Sequence, residues 1–277
     1  MAEWSGSYHE TTCDWPESSA VRVYDLAQPL EPGMARHPYH APYSFVLARA
    51  HGEWNYPGGV SAAMELISMG GHAGTHVDAL GHIAHDGRIH GGQRIAEAQS
   101  YTGGLERGST EEIPPLIGPG HLVDAEQLFG RQLTPGDGIG PVELEKWFGD
   151  RRPPGPGSIV LVRTGWLRLW DDVEAYIALN TGLPGVTLDG ARWLSERGIL
   201  ASGSDTMNYE HKVAGVVCLD VHVHYLVERG IYILEQMNLD RLAADGVTDF
   251  TFVALPLRIR GGTGSPLRPV AIVAQPG

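Results

Sequence analysis

The chain has 277 residues, a formal net charge of −13 at pH 7 and a hydrophobic share of 42%. This acidic balance argues against nucleic acid as a partner, since that binding depends on cationic contacts to phosphate, and the chain's only lysines are Lys146 and Lys212. The apolar content excludes a disordered chain, and no run of about 18 apolar residues predicts a membrane span.

The first segment, residues 1–20, is predicted to be a polar leader that precedes one domain over 21–277. It has neither a basic region nor an apolar run, so it is not expected to be a signal peptide. Cys13 and Cys218 are too far apart in sequence to suggest a disulfide framework, and two free thiols predict a cytoplasmic protein.

Short strands are predicted to alternate with a few helices, which gives a mixed α/β chain. The apolar run at 159–162 is typical of a buried strand, and the helix at 189–198 is expected to begin on Asp189 and end at Gly198. In chain order we predict strands at 21–26, 62–68, 121–124, 159–162, 250–255 and 269–273, and helices at 171–179, 189–198, 221–229 and 239–244.

Two aromatic residues precede the second of these strands. Trp54 and Tyr56, together with Trp166 further along, are candidates for a pocket that accepts an aromatic substrate. Aromatic side chains more often fill cores or pack in loops, and that alternative stays open for each of them.

The stretch from 72 to 82, His-Ala-Gly-Thr-His-Val-Asp-Ala-Leu-Gly-His, predicts a metal site. In an extended chain His72, Gly74, His76 and Asp78 point to one face, because side chains alternate along a strand. Imidazole nitrogen and carboxylate oxygen are ligands for zinc, manganese or ferrous iron. His72, His76 and Asp78 are therefore the predicted ligands.

The distances between the predicted ligands limit which of them can share an ion. His76 and Asp78 lie roughly 6–7 Å apart at Cα and can share an ion, whereas His72 lies roughly 13 Å from His76 in a straight strand. The chain must bend for His72 to join, and the nearby glycines permit a bend. His82 falls on the turn that follows, where it can act as an acid or base.

A second group of polar residues lies near the end of the chain. His222 and His224 belong to a predicted helix that ends at Gly230, and Glu235 follows the apolar run 231–234. A glutamate buried after such a run needs a partner. We interpret these three residues as a second metal site or a substrate contact, with His222 as first choice, while solvent-facing histidines remain the alternative.

Other catalytic classes find little support. A serine hydrolase would need a Gly-x-Ser-x-Gly turn, which is absent. A ferrous oxygenase with two histidines and one carboxylate is the main alternative, but His72 would be a surplus ligand. A non-catalytic metal-binding protein would leave His82 without a role.

The 72–82 stretch resembles the His-x-Gly-Thr-His-x-Asp-x-x-x-His signature of the metal-dependent cyclase family, which includes bacterial kynurenine formamidases and isatin hydrolases. Segments at 159–166, 203–206, 221–230, 233–235 and 254–266 are similar to blocks of that family in the same order. The resemblance implies a single swivelling β/β/α domain with a mixed sheet and few helices, assembled as a homodimer or homotetramer.

The resemblance also implies residue roles. His72, His76 and Asp78 would hold the ion, His82 would transfer protons, and a distal histidine with Glu235 would complete a second position. Formamidase-type members often have proline where this chain has Leu80, which weakens the specific formamidase assignment.

The predicted activity is that of a metal-dependent hydrolase acting on a small molecule. A zinc or manganese ion would lower the pKa of its water to about 7, and the resulting hydroxide would attack a cyclic amide, a lactone or an aryl formamide. His82 would serve as the acid/base.

Overall fold

A computed structural model describes residues 12–14, 20–216 and 219–274. Within the predicted leader, Thr12–Asp14 forms a strand that pairs with the strand Ala20–Asp25, so this piece belongs to the sheet. The rest of the leader up to residue 19 lies outside the described residues, as does Cys218. No helix in the described ranges is long and apolar enough to cross a membrane.

Short strands make up most of the regular structure in the described chain. In chain order they are β1 (Thr12–Asp14), β2 (Ala20–Asp25), β3 (Ser44–Arg49), β4 (Asn55–Tyr56), β5 (Val60–Ser61), β6 (Met64–Ser68), β7 (His76–Asp78), β8 (Gln99–Ser100), β9 (Gly104–Leu105), β10 (Leu116–Asp124), β11 (Gly138–Ile139), β12 (Ile159–Arg163), β13 (Gly182–Leu183), β14 (Gly185–Val186), β15 (Ala201–Ser204), β16 (Lys212–Val213), β17 (Tyr232–Glu235), β18 (Asp249–Ala254), β19 (Gly264–Pro266) and β20 (Val270–Ala274).

One ten-stranded mixed sheet organises the molecule, in the order β1-β2-β20-β18-β10-β12-β15-β17-β7-β19. The middle strands β10, β12, β15 and β17 run parallel, whereas both flanks pair antiparallel. This confirms the predicted mixed α/β class. The last two predicted strands, observed as β18 and β20, are antiparallel neighbours.

The core lies on both faces of this sheet. Ile159 and Leu161 of β12 face one cluster, and Val160 and Val162 face the other, because successive side chains alternate. The first cluster gathers Val77 with side chains from both flanks, so the sheet curls around it. The second is covered by helices. A continuous apolar run is therefore needed on β12, as predicted from the sequence.

Helices are few and short. They are α1 (Ile95–Ala98), α2 (Ala125–Phe129), α3 (Pro141–Phe148), α4 (Val173–Ile177), α5 (Leu188–Ser195), α6 (Asp220–His222), which continues as a π-helix over Val223–Arg229, and α7 (Asp240–Ala244). Gly230 ends the π-helical turn at φ 67°, the left-handed conformation expected for a terminating glycine.

Two details of the predicted helices are wrong. The cap of α5 is Thr187, whose hydroxyl accepts from the Gly190 amide, while Asp189 lies in the first turn and bonds Arg192. Helix α3 was missed, although proline at its first position and Glu143, which accepts from the Gly140 amide at 2.9 Å, are start signals.

A two-stranded arm projects from the main sheet. β3 pairs with β6, and every residue of both strands is exposed; β4 and β5 extend the same hairpin. The predicted strand 62–68 is thus confirmed over Met64–Ser68 but lies outside the main sheet. Its exposure follows from the lack of any covering layer in the described chain.

Candidate metal centre

The side chains of His76, Asp78 and Glu235 meet at β7, which pairs with β17 on one side and β19 on the other. His76 and Asp78 lie two residues apart on β7 and share a face, while Val77 points into the core. Glu235 is the direct register partner of His76 across the antiparallel pair of β17 and β7. Sheet pairing therefore sets Glu235 beside His76 and Asp78.

His72 reaches this group because the chain turns before β7. Only His76–Asp78 is a strand, so the expectation of an extended chain from 72 to 78 is wrong, and the required bend occurs at Gly74 with φ 66°. His72 Nδ1 comes within 2.7 Å of Asp78 Oδ1. A Cβ on Gly264 of β19 would meet the His72 ring, so glycine is required there.

The structure distinguishes between His222 and His224, which the sequence left as alternative site residues. His222, at the end of α6, points its Nε2 to 3.3 Å from Glu235 Oε1 and 3.8 Å from Asp78 Oδ2. His224 instead bonds Ser195 Oγ and Glu228 and takes no part in the cluster. His222 and Glu235 join the first group, and His224 does not.

Glu210 belongs to the site and was missed by sequence reasoning. Its Oε1 lies 2.6 Å from His222 Nδ1, and its Oε2 accepts from the Val221 amide at the start of α6. Only 2% of this residue is exposed. It lies on an irregular segment without periodicity, so no pattern marked it.

Hydrogen bonds orient the histidines toward one centre. His76 Nδ1 donates to the Gly74 carbonyl, which only accepts, so Nε2 is the nitrogen that faces Asp78 and Glu235. His222 is held in the same way by Glu210. Partners of this kind fix the ring orientation and raise the basicity of metal-binding imidazole.

The spacing of these atoms fits a metal ion. Ligand atoms about 2.1 Å from a tetrahedral zinc lie about 3.4 Å apart. His76 Nε2 is 3.5 Å from both Asp78 Oδ1 and Glu235 Oε2. Two groups of side chains bring one ligand atom each to within 4.8 Å of one another, His72 with Asp78 and His82, and His76 with Asp78 and Glu235. Asp78 belongs to both groups, so either group could hold a metal ion through this carboxylate.

Burial and charge perturb these groups strongly. Burial alone would lower the pKa of His222, but hydrogen bonds to Glu210 and Glu235 raise it to about 10. Burial would raise the pKa of Asp78, but His82 and His72 hold it well below its usual value. Carboxylates this deeply buried require compensating cations.

His82 lies beside the cluster on the loop after β7. Its ring centroid is 4.1 Å from that of His72, and burial lowers its pKa to about 4, so the ring is neutral at pH 7. It lines a cavity of about 350 Å³ that opens onto His72, His76 and His222. This volume falls at the lower end for small-molecule sites, roughly 300–1,000 Å³.

The predicted aromatic pocket residues lie elsewhere. Trp54 and Tyr56 stack on each other on the projecting arm, are 45% and 46% exposed, and do not line the cavity within this chain. Trp166 is buried in a core cluster with Tyr176. Within one chain these residues do not line the cavity, because the arm carries the first two away from β7. Their role as a substrate pocket stays a prediction.

Comparison with known proteins gives a consistent family. The sequence profile of the family described as "Putative cyclase" matches residues 24–211. The kynurenine formamidase of Bacillus thuringiensis strain Al Hakam is 28% identical over 256 residues, covering 89% of this chain and 95% of that protein. The isatin hydrolase of Roseibium aggregatum is 29% identical over 219 residues, covering 77% and 76%.

Solved structures show the same fold. The crystal structure of a protein described as a novel cyclase superposes with a TM-score of 0.83 at 26% identity, covering 92% of this chain and 87% of that one. The curled mixed sheet with few helices is therefore shared with a solved relative.

Proposed function

The chain belongs to the cyclase family, and from this premise we propose that it is a metal-dependent hydrolase that cleaves the C–N bond of a small amide or the ester bond of a lactone. The observation that carries the proposal is the convergence of His72, His76 and His222 on the shared carboxylate of Asp78. Relatives named kynurenine formamidase and isatin hydrolase support it over a ferrous oxygenase or a non-catalytic metal-binding protein.

His72, His76 and Asp78 would hold one divalent ion, and Asp78, His222 and Glu235 would hold a second. Nitrogen and carboxylate donors suit zinc or manganese. A divalent ion bound there would supply a nucleophilic water at neutral pH and stabilise negative charge on the carbonyl oxygen.

His82 would take a proton from the attacking water and return it to the leaving nitrogen. Its position supports this role, because it lines the cavity and its ring lies 4.1 Å from that of His72. The neutral ring can accept a proton at pH 7. Glu210 and the Gly74 carbonyl would keep His222 and His76 turned inward.

The substrate proposed is a cyclic amide or lactone ahead of an aryl formamide. Leu80, where formamidase-type members often have proline, supports this order. Purified protein should contain zinc or manganese by mass spectrometry, lose activity on chelation and regain it on addition of one of these ions. Ring opening of isatin, hydrolysis of an aryl lactone and deformylation of an N-formyl aryl amine form the panel. No metal, or oxygen consumption with iron alone, contradicts the proposal.

The predicted homodimer or homotetramer has a candidate surface. Val46 lies opposite Leu66 on the arm, Phe45 lies opposite Ile67, and all four are 48–62% exposed. Neighbouring positions point to opposite faces, so both faces of this ribbon are apolar. A two-stranded ribbon is marginally stable alone in water, which favours a second copy as its cover.

Light scattering of the 29.9 kDa chain would measure the assembly. Val46→Lys should shift the mass toward the monomer. Val142→Lys, at a residue of α3 that is 71% exposed, should not. A wild-type protein that is monomeric in solution contradicts the predicted homodimer or homotetramer.

A further inference from the structure

The cavity beside the metal centre has a basic side that the centre does not use. His37 and His40, from the segment after β2, and Lys212, from β16, line it together with the cluster. The remaining wall is largely apolar and is formed by Ile83, Ile177, Leu179, Leu183, Met207 and Leu219. A ligand in this cavity would therefore contact apolar side chains on one side and basic side chains on another.

Lys212 is a conspicuous member of that basic side. It is one of two lysines in a chain of net charge −13. It makes no ion pair with any carboxylate of the described residues, and it is only partly exposed. Its charge is near enough to His37 to add to burial in lowering the pKa of that ring. Lys212 and His37 thus line the same cavity, and Glu235, the carboxylate in its lining, acts in the opposite direction on the pKa of His37 but makes no ion pair with Lys212.

We infer that Lys212 binds a carboxylate that the substrate itself carries, so the substrate class is a small anionic amide with an apolar body. This inference rests on the proposed function, since the cluster must cleave the amide while Lys212 holds the other end. The carboxylate released by cleavage forms at the metal centre, and Lys212 makes no ion pair with Asp78 or Glu235 there.

Binding of an anion to this acidic molecule is unfavourable unless a cationic group compensates its charge. The chain's net charge of −13 repels it. An ammonium group in a partly enclosed pocket can offset this effect by a charge-assisted hydrogen bond. The apolar wall then contributes binding energy through the carbon body.

Calorimetry with two matched probes tests the inference without turnover. 3-Phenylpropionate carries a carboxylate on an apolar body, and 3-phenylpropan-1-ol is its neutral counterpart. The measured quantity is the Kd of the alcohol divided by the Kd of the carboxylate. This ratio is determined once in metal-free and once in metal-loaded protein. Lys212→Met should weaken the preference for the carboxylate about tenfold, and Lys212→Arg should retain most of it.

Lys146→Met is the matched control, because Lys146 is the other lysine and is exposed on α3. It should leave the ratio unchanged. A general loss of pocket structure weakens the binding of both probes and cancels in the ratio of their Kd values. A partly disrupted variant therefore still measures the preference for the carboxylate. An unchanged ratio in Lys212→Met overturns the inference. A protein that lacks metal and hydrolytic activity contradicts the proposed function, whereas the ratio still decides the role of Lys212.

Discussion

Glu235 lies directly opposite His76 across the antiparallel pair of β17 and β7, with Glu235 Oε2 3.5 Å from His76 Nε2. Residues that face each other across a pair share one face of the sheet. Asp78, two residues along β7, is on the same face, so sheet register brings a distant glutamate to the metal centre.

Asp78→Ala should abolish metal binding, because Asp78 is a ligand in both proposed groups, the one with His72 and His76 and the one with His222 and Glu235. Glu235→Ala should remove one ion and leave the other, since it belongs to only one group. Mass spectrometry of dialysed protein measures the stoichiometry. Full occupancy in Asp78→Ala contradicts its assignment as a ligand.

His82→Ala should lower kcat by roughly 10²–10⁴, as expected for removal of a general acid/base. The metal content should not change, because His72, His76, His222 and the carboxylates remain. Steady-state kinetics and metal analysis on the same preparation separate these effects. If the variant instead lost its metal, His82 would be a ligand.

Glu210→Gln should weaken metal binding by about 10–100-fold, since the carboxylate orients His222. The readout is a competition titration with a metal-binding dye. His224→Ala serves as control, because His224 bonds Ser195 and Glu228 outside the cluster and should bind metal normally. Equal affinities in the two variants contradict the positioning role of Glu210.

Gly74→Ala should destabilise the protein and weaken metal binding. The residue has φ 66°, and a Cβ there would lie 2.7 Å from Leu30 Cδ2. Gly59→Ala also places alanine at positive φ, 79°, but in open space, so only the backbone cost of about 1–2 kcal/mol applies. Thermal unfolding of both variants gives the difference, and equal losses contradict a packing role for Gly74.

Stability should depend on pH through Asp137. The hydrogen bonds from Arg131 hold the pKa of that carboxyl well below its usual 3.8. A depressed folded pKa stabilises the protein above about pH 4, and this contribution is lost as pH falls through and below 3.8. Asp137→Asn should therefore cost about 1 kcal/mol at pH 7 and less toward pH 3.

Urea unfolding across this pH range measures the effect. Asp150→Asn is the control, since Asp150 is exposed and has no ion pair within the described residues. Any acid-induced loss of metal is common to both variants and cancels in their difference. A cost for Asp137→Asn that does not change with pH contradicts the prediction.

The sequence by itself determined the local parts of this protein. Period-two spacing placed His76 and Asp78 on one face, glycine permitted the bend that delivers His72, and continuous apolar runs marked the buried strand β12. These features depend on residues close in the chain, whose relative positions follow from backbone geometry. The cytoplasmic location remains a prediction from the sequence.

Only the tertiary structure decided which distant groups complete the site. Sheet pairing set Glu235 opposite His76, helix orientation chose His222 over His224, and an irregular segment supplied Glu210. The arm carried Trp54 and Tyr56 away from the cavity. Periodicity reports which face of an element a side chain occupies, but the neighbour of that face is set by packing between elements.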